Sequence, residues 1–312
     1  VARSEHPEIN MRLVDLDSRQ SDAALAASVY AELIGDREDR VAYRDGKRLT
    51  PRLIRSRGGE RGQLDCITPR HSYLVTGATG GLGRRLTAWL VEQKAGTVWV
   101  NSRRAPGASD VEWMEELRLS GARVEWLTGD VADPGKVQHM AKRIRESEYP
   151  LDGVFHAAGT LDDRLVKELT EQSFRSVMSA KVAGAWNLHE ATRSDALRHF
   201  VMFSSISSFM APPLQGNYAA ANACLAALAT TREQGGLPAL AIDWGPWAGG
   251  GMATRLAEGP KKVMRSRGFQ FLPPQLALDA LRSLMQETTS RVAVMGIDWD
   301  RFSRSTRSDE VP

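Results

Sequence analysis

Hydrophobic and polar positions follow one regular rhythm over most of the chain. From His71 onwards, short apolar runs rich in β-branched residues alternate with helical patterns such as Leu82–Lys94 and Gln172–Thr192. The predicted strands are Tyr73–Thr76, Thr97–Asn101, Arg123–Thr128, Gly153–His156, His199–Ser204, Ala239–Asp243 and Arg291–Met295. Repeated strand–helix alternation predicts an α/β fold, a doubly wound parallel sheet with helices on both faces.

The first part of the chain has a different pattern. Alternation over Asn10–Asp17 predicts a strand, and Asp22–Ile34 predicts a helix. Two β-prone runs, Arg40–Arg44 and Lys47–Leu49, flank an Asp-Gly pair, which predicts a hairpin. Residues 55–63 are polar, glycine-rich and aperiodic, as in a linker or exposed loop. We therefore divide the chain into residues 1–65 and 66–312.

Composition and charge exclude several classes of protein. The 312 residues carry a net charge of +3, too small for a nucleic-acid or polybasic membrane binder. Cys66 and Cys224 cannot form a disulfide framework, and no apolar run approaches the ~18 residues of a membrane span. We expect a cytoplasmic protein with no metal site. The chain begins at Val1 without a signal-peptide pattern, so we expect a piece of something longer.

A glycine-rich loop, Thr76–Gly83, follows the first strand of this region and opens a helix. Glycines let the backbone turn sharply beside a pyrophosphate, and the helix N-terminus presents N–H groups to the anion. A glycine-rich loop alone is weak support, but its position between a strand and a helix, at the head of a β-α-β unit, favours a dinucleotide site over a structural turn. The predicted contacts are Gly77, Thr79, Gly80, Gly81 and Leu82.

The end of the second strand bears on the choice of nicotinamide cofactor. An NAD site usually places an acidic residue there for the ribose 2′-hydroxyl, whereas this chain has Ser102, Arg103 and Arg104. Two guanidinium groups suit a 2′-phosphate, which predicts NADPH. The alternative is that they are ordinary surface arginines.

Two further strand ends carry candidate cofactor contacts. Asp130, followed by Val131, either accepts a hydrogen bond from the adenine amino group or caps a turn. The fourth strand runs into Ala157, Ala158 and Gly159, whose small size permits close approach of a cofactor. We interpret His156, just before them, as a packing or hydrogen-bonding residue rather than an acid–base group.

Candidate catalytic residues follow the fifth strand. Ser205 ends that strand and Tyr218 begins a helix, so both can lie at the carboxyl edge of the sheet, where ligands bind. Asn222, four residues after Tyr218, shares its helix face. Carbonyl reduction needs a proton donor and a second hydrogen-bond donor, which a tyrosine and a serine can supply. A nearby cation would lower the phenol pKa, and Lys181, on an otherwise apolar helical stretch, is the candidate.

The loop Thr76–Gly83 with Ser205 and Tyr218 resembles the short-chain dehydrogenase/reductases. Most of those enzymes carry a lysine four residues after the tyrosine, where this chain has Asn222. That asparagine, with a lysine on the preceding long helix, resembles the ketoreductase domains of modular polyketide synthases. The phrases Leu74–Gly77, His156–Gly159, Tyr218–Ala223 and Asp243–Trp247 are similar to that family's signatures, and the resemblance covers about residues 71–305.

The resemblance implies an NADPH-dependent reductase of a β-ketoacyl thioester, tethered through phosphopantetheine to an acyl carrier protein of the same synthase. It assigns proton donation to Tyr218, carbonyl binding to Ser205, and tuning and orientation of Tyr218 to Lys181 and Asn222. It adds Gly245, Pro246 and Trp247 to the cofactor site. It also implies that residues 1–65 are the closing part of a truncated, Rossmann-like structural subdomain, and residues 66–312 the catalytic one.

The resemblance extends to the stereochemical type. Leu161, Asp162 and Asp163 look like the mark of B-type ketoreductases, which form a D-configured, usually 3R, β-hydroxyl. Met210 stands where A-type members carry tryptophan, and Pro213 and Asn217 also match the B-type. Ala221, in place of the proline of epimerising members, favours a non-epimerising enzyme. The alternative is that the two aspartates are simply exposed loop residues.

The segment after Trp247 carries three glycines, which suit a mobile lid, with Met252 as a substrate contact. The basic residues Arg255, Lys261, Lys262, Arg265 and Arg267 follow. They either dock an acidic carrier protein or, as we favour, form a solvated helix face. Two other functions stay open: a free-standing reductase of a diffusible ketone, and a catalytically silent scaffold domain.

Overall fold

The computed structural model describes residues 1–35, 38–56, 66–249, 251 and 258–308. The chain divides into two compact units, Val1–Gly59 and Glu60–Pro312. Within the described ranges, every helix is too short or too polar to span a lipid bilayer. In the same part of the chain, no group of three or more His, Cys, Asp or Glu side chains is arranged to hold a metal ion.

The first unit is a three-stranded sheet with one long helix. Its elements are α1 (Ala2–Glu5), β1 (Leu13–Asp15), α2 (Asp22–Ile34), β2 (Arg40–Arg44) and β3 (Lys47–Leu49). Strand β1 pairs parallel with β2, and β2 pairs antiparallel with β3. Asp45 and Gly46 have φ of 49° and 73°, both left-handed, as a two-residue hairpin turn requires. The predicted helix and hairpin are confirmed, whereas β1 is shorter than the predicted strand.

The buried carboxylate of Glu32 connects α2 to the strands β2 and β3 of this unit. The Glu32 side chain is 3% exposed and accepts hydrogen bonds from the Tyr43 hydroxyl at 2.7 Å and Arg48 Nε at 2.5 Å. The hydrogen bond from Arg48 lowers the pKa of Glu32 to about 2, although burial opposes this. A carboxylate so placed stays ionised, because its guanidinium and phenol partners replace the lost water.

The second unit is built on a seven-stranded sheet. Its strands are β4 (Ser72–Thr76), β5 (Thr97–Ser102), β6 (Val124–Thr128), β7 (Leu151–His156), β8 (His199–Ser205), β9 (Leu240–Trp244) and β11 (Arg291–Val294). They are all parallel, in the order β6-β5-β4-β7-β8-β9-β11. Two short strands, β10 (Phe269–Gln270) and β12 (Gly296–Ile297), pair antiparallel beside it. The prediction of a doubly wound parallel sheet is confirmed, with each predicted strand within two residues of the observed one.

Helices cover both faces of this sheet. They are α3 (Gly81–Glu92), α4 (Ala108–Leu119), α5 (Pro134–Arg145), α6 (Glu171–Met178), a π-helical turn (Ser179–Ala183), α7 (Gly184–Ala191), α8 (Ser207–Met210), α9 (Gly216–Gln234), α10 (Glu258–Ser266), α11 (Pro274–Leu284) and α12 (Trp299–Ser308). Leu86 and Leu281 lie in the core on one face, and Leu188 and Leu225 in the core on the other. Strands buried on both faces explain the continuous apolar runs in the sequence.

The strand order reverses between β4 and β7, so the connections that leave these strands diverge and open a crevice at their carboxyl ends. The opposite, amino edge is closed by a polar network. Asp152 is 2% exposed and accepts from Arg198 Nε and NH2 at 2.7 and 2.6 Å and from the Tyr73 hydroxyl at 2.9 Å. Nearby, His199 Nε2 lies 2.9 Å from the Cys66 carbonyl oxygen.

Candidate active site

The glycine loop is shaped by close backbone approaches. Gly77 has φ of 68°, and a Cβ there would lie 2.7 Å from Ala158 Cα. A Cβ at Gly83 would lie 2.3 Å from the Gly77 carbonyl oxygen. Gly80 is the N-cap of α3, whose first N–H groups, beginning at Gly81, have no partner inside the helix. The shape of the loop and the free N–H groups at the helix start are those that a pyrophosphate needs.

The segment after β7 explains part of this shape. Ala157 N donates to the Thr76 carbonyl oxygen at 3.3 Å, and Ala158 lies against Gly77. The small residues after β7 were predicted to let a cofactor approach. They are also needed for the close contact between the ends of β4 and β7. Thr79 and Gly159 are partly exposed in the same region, as a ligand-facing role needs.

The two arginines after β5 differ in their surroundings. Ser102 is buried at the strand end, whereas Arg103 and Arg104 are exposed. Arg104 NH2 lies 3.7 Å from Asp110 Oδ2, and that carboxylate also pairs with Arg84 at 2.6 Å. Arg103 has no ion pair or hydrogen bond within the described chain. Its guanidinium is consequently the better candidate for an anionic ligand.

Asp130 performs one of its two predicted roles within the chain itself. Its Oδ1 accepts a hydrogen bond from the Ala132 backbone N at 2.9 Å, so it caps a turn. The carboxylate keeps a second oxygen for another donor. Val131 is 3% exposed, and its carbonyl oxygen accepts from Asn187 Nδ2 at 2.9 Å. That contact fixes the loop that borders the predicted adenine position.

The segment after β9 carries three of the predicted cofactor contacts. Trp247 was expected at the cofactor, but its ring is 3% exposed and lies edge-on to Trp244, with ring centroids 5.0 Å apart. Any cofactor contact from Trp247 would therefore come from its backbone. Gly245 N donates to the Val294 carbonyl at 2.8 Å, and the Pro246 carbonyl accepts from Leu272 N at 2.7 Å.

The chain then passes over the start of α3. The Gly249 carbonyl accepts from Arg85 NH2 at 2.6 Å, and a Cβ at Gly251 would lie 3.2 Å from Leu82 Cγ. Gly249 and Gly251 therefore lie beside the start of α3, which follows the glycine loop. Met252, the predicted substrate contact, and Arg255, the first residue of the basic stretch, lie outside the described residues.

The predicted catalytic residues come together at the carboxyl edge. Tyr218 lies in the first turn of α9, one turn before Asn222, and Ser205 is the last residue of β8. Lys181 lies in the π turn, and its Nζ is 5.3 Å from the centroid of the Tyr218 ring. Lys181 Nζ donates to the Phe203 carbonyl oxygen at 2.8 Å. Residues from three separate segments, the π turn, the end of β8 and the start of α9, thus lie together at one site.

The electrostatics of the phenol differ from the sequence expectation. Burial raises the pKa of Tyr218, while Asn222 and Ser205 lower it and the Asp163 charge raises it. Burial lowers the pKa of Lys181 to about 7, although the Asp243 carboxylate raises it. The net shift of the phenol pKa is upward, so desolvation outweighs any lowering by Lys181, whose ammonium lies over the ring face.

Hydrogen bonds from neighbouring residues hold Ser205 and Asn222. Ser205 Oγ accepts from Ser207 N at 3.2 Å. Asn222 Nδ2 donates to the Tyr218 carbonyl at 2.8 Å and to Ser207 Oγ at 3.3 Å, while Asn222 Oδ1 is buried and has no hydrogen-bond partner among the described residues. An unpaired buried acceptor is costly, so Asn222 Oδ1 marks a place for a donor. Sequence reasoning missed Ser207, since nothing in its local pattern indicates this contact.

Asp243 is a second residue that sequence reasoning missed. It is 2% exposed and accepts from Ser204 Oγ at 2.6 Å, Ser208 Oγ at 3.1 Å and Arg291 Nε at 2.9 Å. It therefore braces the end of β8 and helix α8 on either side of Ser205. The sequence feature that could have indicated this role is an acidic residue at the end of an otherwise apolar strand.

The predicted stereocontrol residues also meet at this edge. Asn217 is fully buried, and its Nδ2 donates to the Asp162 carbonyl at 2.9 Å and the Ser173 carbonyl at 3.1 Å. Gln215 Nε2 lies 3.2 Å from Asp163 Oδ2. Asn217 thus fixes the Leu161–Asp163 segment next to Tyr218, and the charge of Asp163 acts on the phenol.

The loop before α9 completes that wall. Ala211 and Leu214 have φ of 46° and 72°, left-handed values on either side of the two prolines. Pro213 is exposed and Met210 half-buried. Arg164 N donates to the Leu214 carbonyl at 2.8 Å, which joins this loop to the Asp162 segment.

The basic stretch is partly neutralised within its own helix. Glu258 pairs with Lys261 at 2.9 Å and lies 3.7 Å from Arg265. Lys262 and Arg267 are exposed. Charged side chains that are exposed or paired within one helix are typical of a solvated helix face, the interpretation that we favour from the sequence.

A profile of the KR domain family matches residues 71–249, more than half of the chain. The chain belongs to the KR domain family. These ketoreductase domains of polyketide synthases are oxidoreductases that reduce ketones to alcohols and use a nicotinamide cofactor.

Related ketoreductase sequences lie within very long synthases. The chain is 36% identical over 305 residues to the polyketide synthase GfsA of Streptomyces halstedii, covering 97% of this chain and 4% of that protein. It is 35% identical over 306 residues to the pikromycin synthase component PikAIII of Streptomyces venezuelae, covering 97% and 19%. The chain therefore spans less than a fifth of these relatives, which are multidomain polyketide synthases.

Solved ketoreductase structures share the fold. The first ketoreductase of the tylosin synthase superimposes with a TM-score of 0.86 and 38% identity, covering 99% of this chain and 66% of that one. PlmKR1, from the first module of phoslactomycin biosynthesis in Streptomyces sp. HK803, gives 0.88 and 35%, covering 98% and 70%. An A1-type ketoreductase gives 0.82 and 34%, covering 98% and 64%.

Proposed function

We propose that this ketoreductase domain reduces a β-ketoacyl thioester, carried by an acyl carrier protein, to the β-hydroxyacyl thioester, with NADPH as the reductant. The observation that carries the proposal is the convergence of Tyr218, Ser205, Lys181 and Asn222 at the carboxyl edge, beside the glycine loop. The nicotinamide cofactor, when bound, supplies the hydride for the keto carbon.

Tyr218 supplies the proton in this proposal. As the carbonyl carbon gains the hydride, the π electron pair moves to oxygen, and the Tyr218 O–H transfers its proton to that oxygen. The Ser205 hydroxyl donates a hydrogen bond to the same oxygen and stabilises the developing negative charge. Asn222 supports both groups through its contacts with the Tyr218 backbone and Ser207.

Lys181 stabilises the phenolate that this transfer leaves behind. Its ammonium lies 5.3 Å from the ring centroid in a buried setting, where charge interactions are stronger than in water. Because its pKa is lowered to about 7, Lys181 can also lose and regain a proton near neutrality. The lysine is thus suited to restoring the proton of Tyr218 between turnovers.

The proposed preference for NADPH rests on Arg103. Its exposed guanidinium is uncommitted within the described chain, at the strand end where a ribose 2′-substituent lies in this fold. A 2′-phosphate offers the anionic oxygens that a guanidinium fork binds. Ser102, Arg104 and Asp130 are proposed as neighbouring contacts.

We propose a B-type, non-epimerising enzyme that forms the D-configured, 3R alcohol. The Leu161–Asp163 segment supports this, since Asn217 and Gln215 hold it beside Tyr218 and so shape one side of the site. Met210, at the end of α8, and Pro213, in the loop before α9, belong to the stretch that the hydrogen bond from Arg164 N to the Leu214 carbonyl joins to this segment. A wall fixed at this place can select the face that the carbonyl turns toward the hydride.

We further propose that residues 1–65 are the closing part of a truncated, cofactor-free Rossmann-like subdomain, and that residues 66–312 are the catalytic one. The support is the parallel pairing of β1 with β2 through α2, which is a β-α-β unit. The partners would be the carrier protein and the other domains of a synthase module.

The proposal is tested by the oxidation of NADPH with a β-ketoacyl pantetheine thioester, with the same acyl group on a carrier protein, and with a free ketone. We expect turnover with both thioesters, faster on the carrier protein, and a 3R product on chiral analysis. Turnover restricted to the free ketone would identify a free-standing type of reductase, and no turnover with any substrate would identify a silent domain. A 3S product would contradict the B-type assignment alone.

A further inference from the structure

We propose that His156 is a positioning residue for Lys181: its imidazole holds the Lys181 carbonyl in the π turn and so directs the lysine side chain toward Tyr218. This inference rests on the proposed function. It adds to that function a residue that touches neither substrate nor cofactor in the proposed reaction.

The hydrogen bonds of His156 define its protonation. The ring is 1% exposed at the end of β7, with Nε2 3.0 Å from the Lys181 carbonyl oxygen and Nδ1 2.8 Å from Thr76 Oγ1. A carbonyl oxygen can only accept, so Nε2 carries the proton. Nδ1 of the neutral ring must then accept, and the Thr76 hydroxyl donates to it. Each ring nitrogen therefore already takes part in one hydrogen bond.

The π turn is the element that needs this support. Ser179–Ala183 interrupts the helical run between α6 and α7, and Lys181 lies in its middle. Such turns depart from the regular helical hydrogen-bond ladder and recur at functional sites. The His156 ring meets this segment a second time at Gly184, where a Cβ would lie 3.1 Å from His156 Cε1. One imidazole therefore contacts the chain at Lys181 and three residues beyond.

The position of the π turn also determines where the Lys181 side chain lies relative to the Tyr218 ring. Lys181 Nζ donates to the Phe203 carbonyl at 2.8 Å and lies 5.3 Å from the Tyr218 centroid. Both contacts require the π turn to keep its place, and displacements of about 1 Å can cost about 100-fold in rate. Thr76 immediately precedes Gly77, so the same imidazole also links the glycine loop to the catalytic lysine.

Burial, with the charge of Lys181 acting in the same direction, keeps the His156 ring neutral. Burial and the Lys181 charge lower the pKa of His156 to about 4, although its hydrogen bonds to backbone raise it. The groups that face Lys181 are His156, Tyr218 and, through its charge, Asp243. Around neutral pH the imidazole stays in the one tautomer that can hold the Lys181 carbonyl.

The first test compares His156→Phe, which loses the hydrogen bond, with His156→Gln, whose amide can replace the Nε2 donor. The matched control is His199→Phe, because His199 lies in the same sheet and its Nε2 also bonds a backbone carbonyl, that of Cys66. We expect His156→Phe to lower kcat about 10- to 100-fold, with NADPH affinity retained. His156→Gln should recover most of the rate, and His199→Phe should keep the kcat of folded protein.

A double-mutant cycle separates positioning from a general structural effect. If His156 acts through Lys181, His156→Phe should lower kcat in the wild-type background and change it little in the Lys181→Met background. An equal fold-loss in both backgrounds would overturn the proposal. So would a wild-type kcat in His156→Phe.

A second measurement does not depend on turnover, so it separates this proposal from the proposed function. The Lys181 side chain is followed by NMR of protein carrying 13C-labelled lysine, with Lys181→Met to assign its signal. In wild type and His199→Phe we expect titration near pH 7, from the pKa of about 7. In His156→Phe the loosened turn should let the amine reach water, and its pKa should rise. An unchanged Lys181 titration in His156→Phe would refute the inference even if the enzyme were inactive.

Discussion

The two edges of the seven-stranded sheet carry the same kinds of residue and use them differently. The amino edge holds Tyr73, Asp152, Arg198 and His199. The carboxyl edge holds Tyr218, Asp243 and His156, and the Arg291 side chain reaches Asp243 from the start of β11. At the amino edge the Tyr73 phenol donates directly to the Asp152 carboxylate. At the carboxyl edge the Asp243 carboxylate binds two serines and Arg291, and the Tyr218 phenol faces Ser205 and Asn222 instead.

The difference shows what turns a polar cluster into a site for proton transfer. Burial, with the charge of Asp152 acting in the same direction, raises the pKa of Tyr73 to about 12, and its hydroxyl is committed. Burial raises the pKa of Tyr218 as well, but beside this phenol lies Lys181, whose own pKa is lowered to about 7. One edge is therefore fixed in charge, while the other contains a cation that can change its charge near neutral pH.

Apart from loss of the Tyr218 hydroxyl, the largest expected effect is at the carboxyl edge. Ser205→Ala removes the second donor to the carbonyl oxygen and should lower kcat about 10²- to 10³-fold, about 2.7–4 kcal/mol. The control is Ser290→Ala, which removes a hydroxyl that donates to Glu233 near the amino edge. Steady-state NADPH oxidation should show a large loss only for Ser205→Ala. Comparable losses in both variants would break the division between the edges.

The next effect tests the amino edge. Asp152→Asn removes the charge that pairs with Arg198 and should lower the free energy of unfolding by about 3 kcal/mol. We place it at the low end for a broken buried pair because the Arg198 side chain is 44% exposed. Urea unfolding measures the loss, and kcat per folded molecule should not change. A fall in kcat of the folded protein would assign the amino edge a catalytic role.

A smaller effect concerns the arginines after β5. Arg103→Ala should weaken NADPH binding about 10-fold, about 1.4 kcal/mol, and leave NADH binding unchanged. Arg104→Ala should have a smaller effect, since Asp110 lies 3.7 Å from that guanidinium. Fluorescence titration with both cofactors measures these affinities. Equal NADPH affinity in wild type and Arg103→Ala would contradict the assignment.

The smallest effect concerns the pH dependence of stability. The pKa of Lys181 in the folded chain, about 7, lies below its ordinary value of 10.5, so between these values the unfolded chain binds more protons. Stability should therefore rise with pH, by about 1 kcal/mol between pH 7 and about 8. Lys181→Met should lack this rise and be at least as stable as wild type at pH 7. A parallel rise in both proteins would contradict the lowered pKa.

Much of the architecture followed from the sequence because local patterns encode it. Fully apolar strands, the Asp45-Gly46 turn and the glycine loop each depend on neighbouring residues, and the structure places them as predicted. The catalytic candidates were also accessible, because Ser205 ends a strand and Tyr218 begins a helix. Parallel strands bring such ends to one edge.

What the sequence did not yield depends on contacts between distant segments. The π turn at Lys181 breaks a periodic helical pattern without a local signal, and the links of Asp243 to Ser204 and Arg291 join separate elements. The balance at Tyr218 was also inaccessible, because burial acts against any nearby cation. The burial of the Trp247 ring likewise comes from packing against Trp244, which spacing alone does not reveal.

The most direct test of the account compares two phenol deletions, Tyr218→Phe and Tyr73→Phe. We expect Tyr218→Phe to abolish NADPH oxidation with the β-ketoacyl thioester, a loss of about 10²- to 10⁴-fold or more, while NADPH still binds and the protein stays folded. Tyr73→Phe should keep its kcat and lose about 1 kcal/mol of stability. Retained turnover in Tyr218→Phe would contradict the account, because the proposed proton donor would then be dispensable.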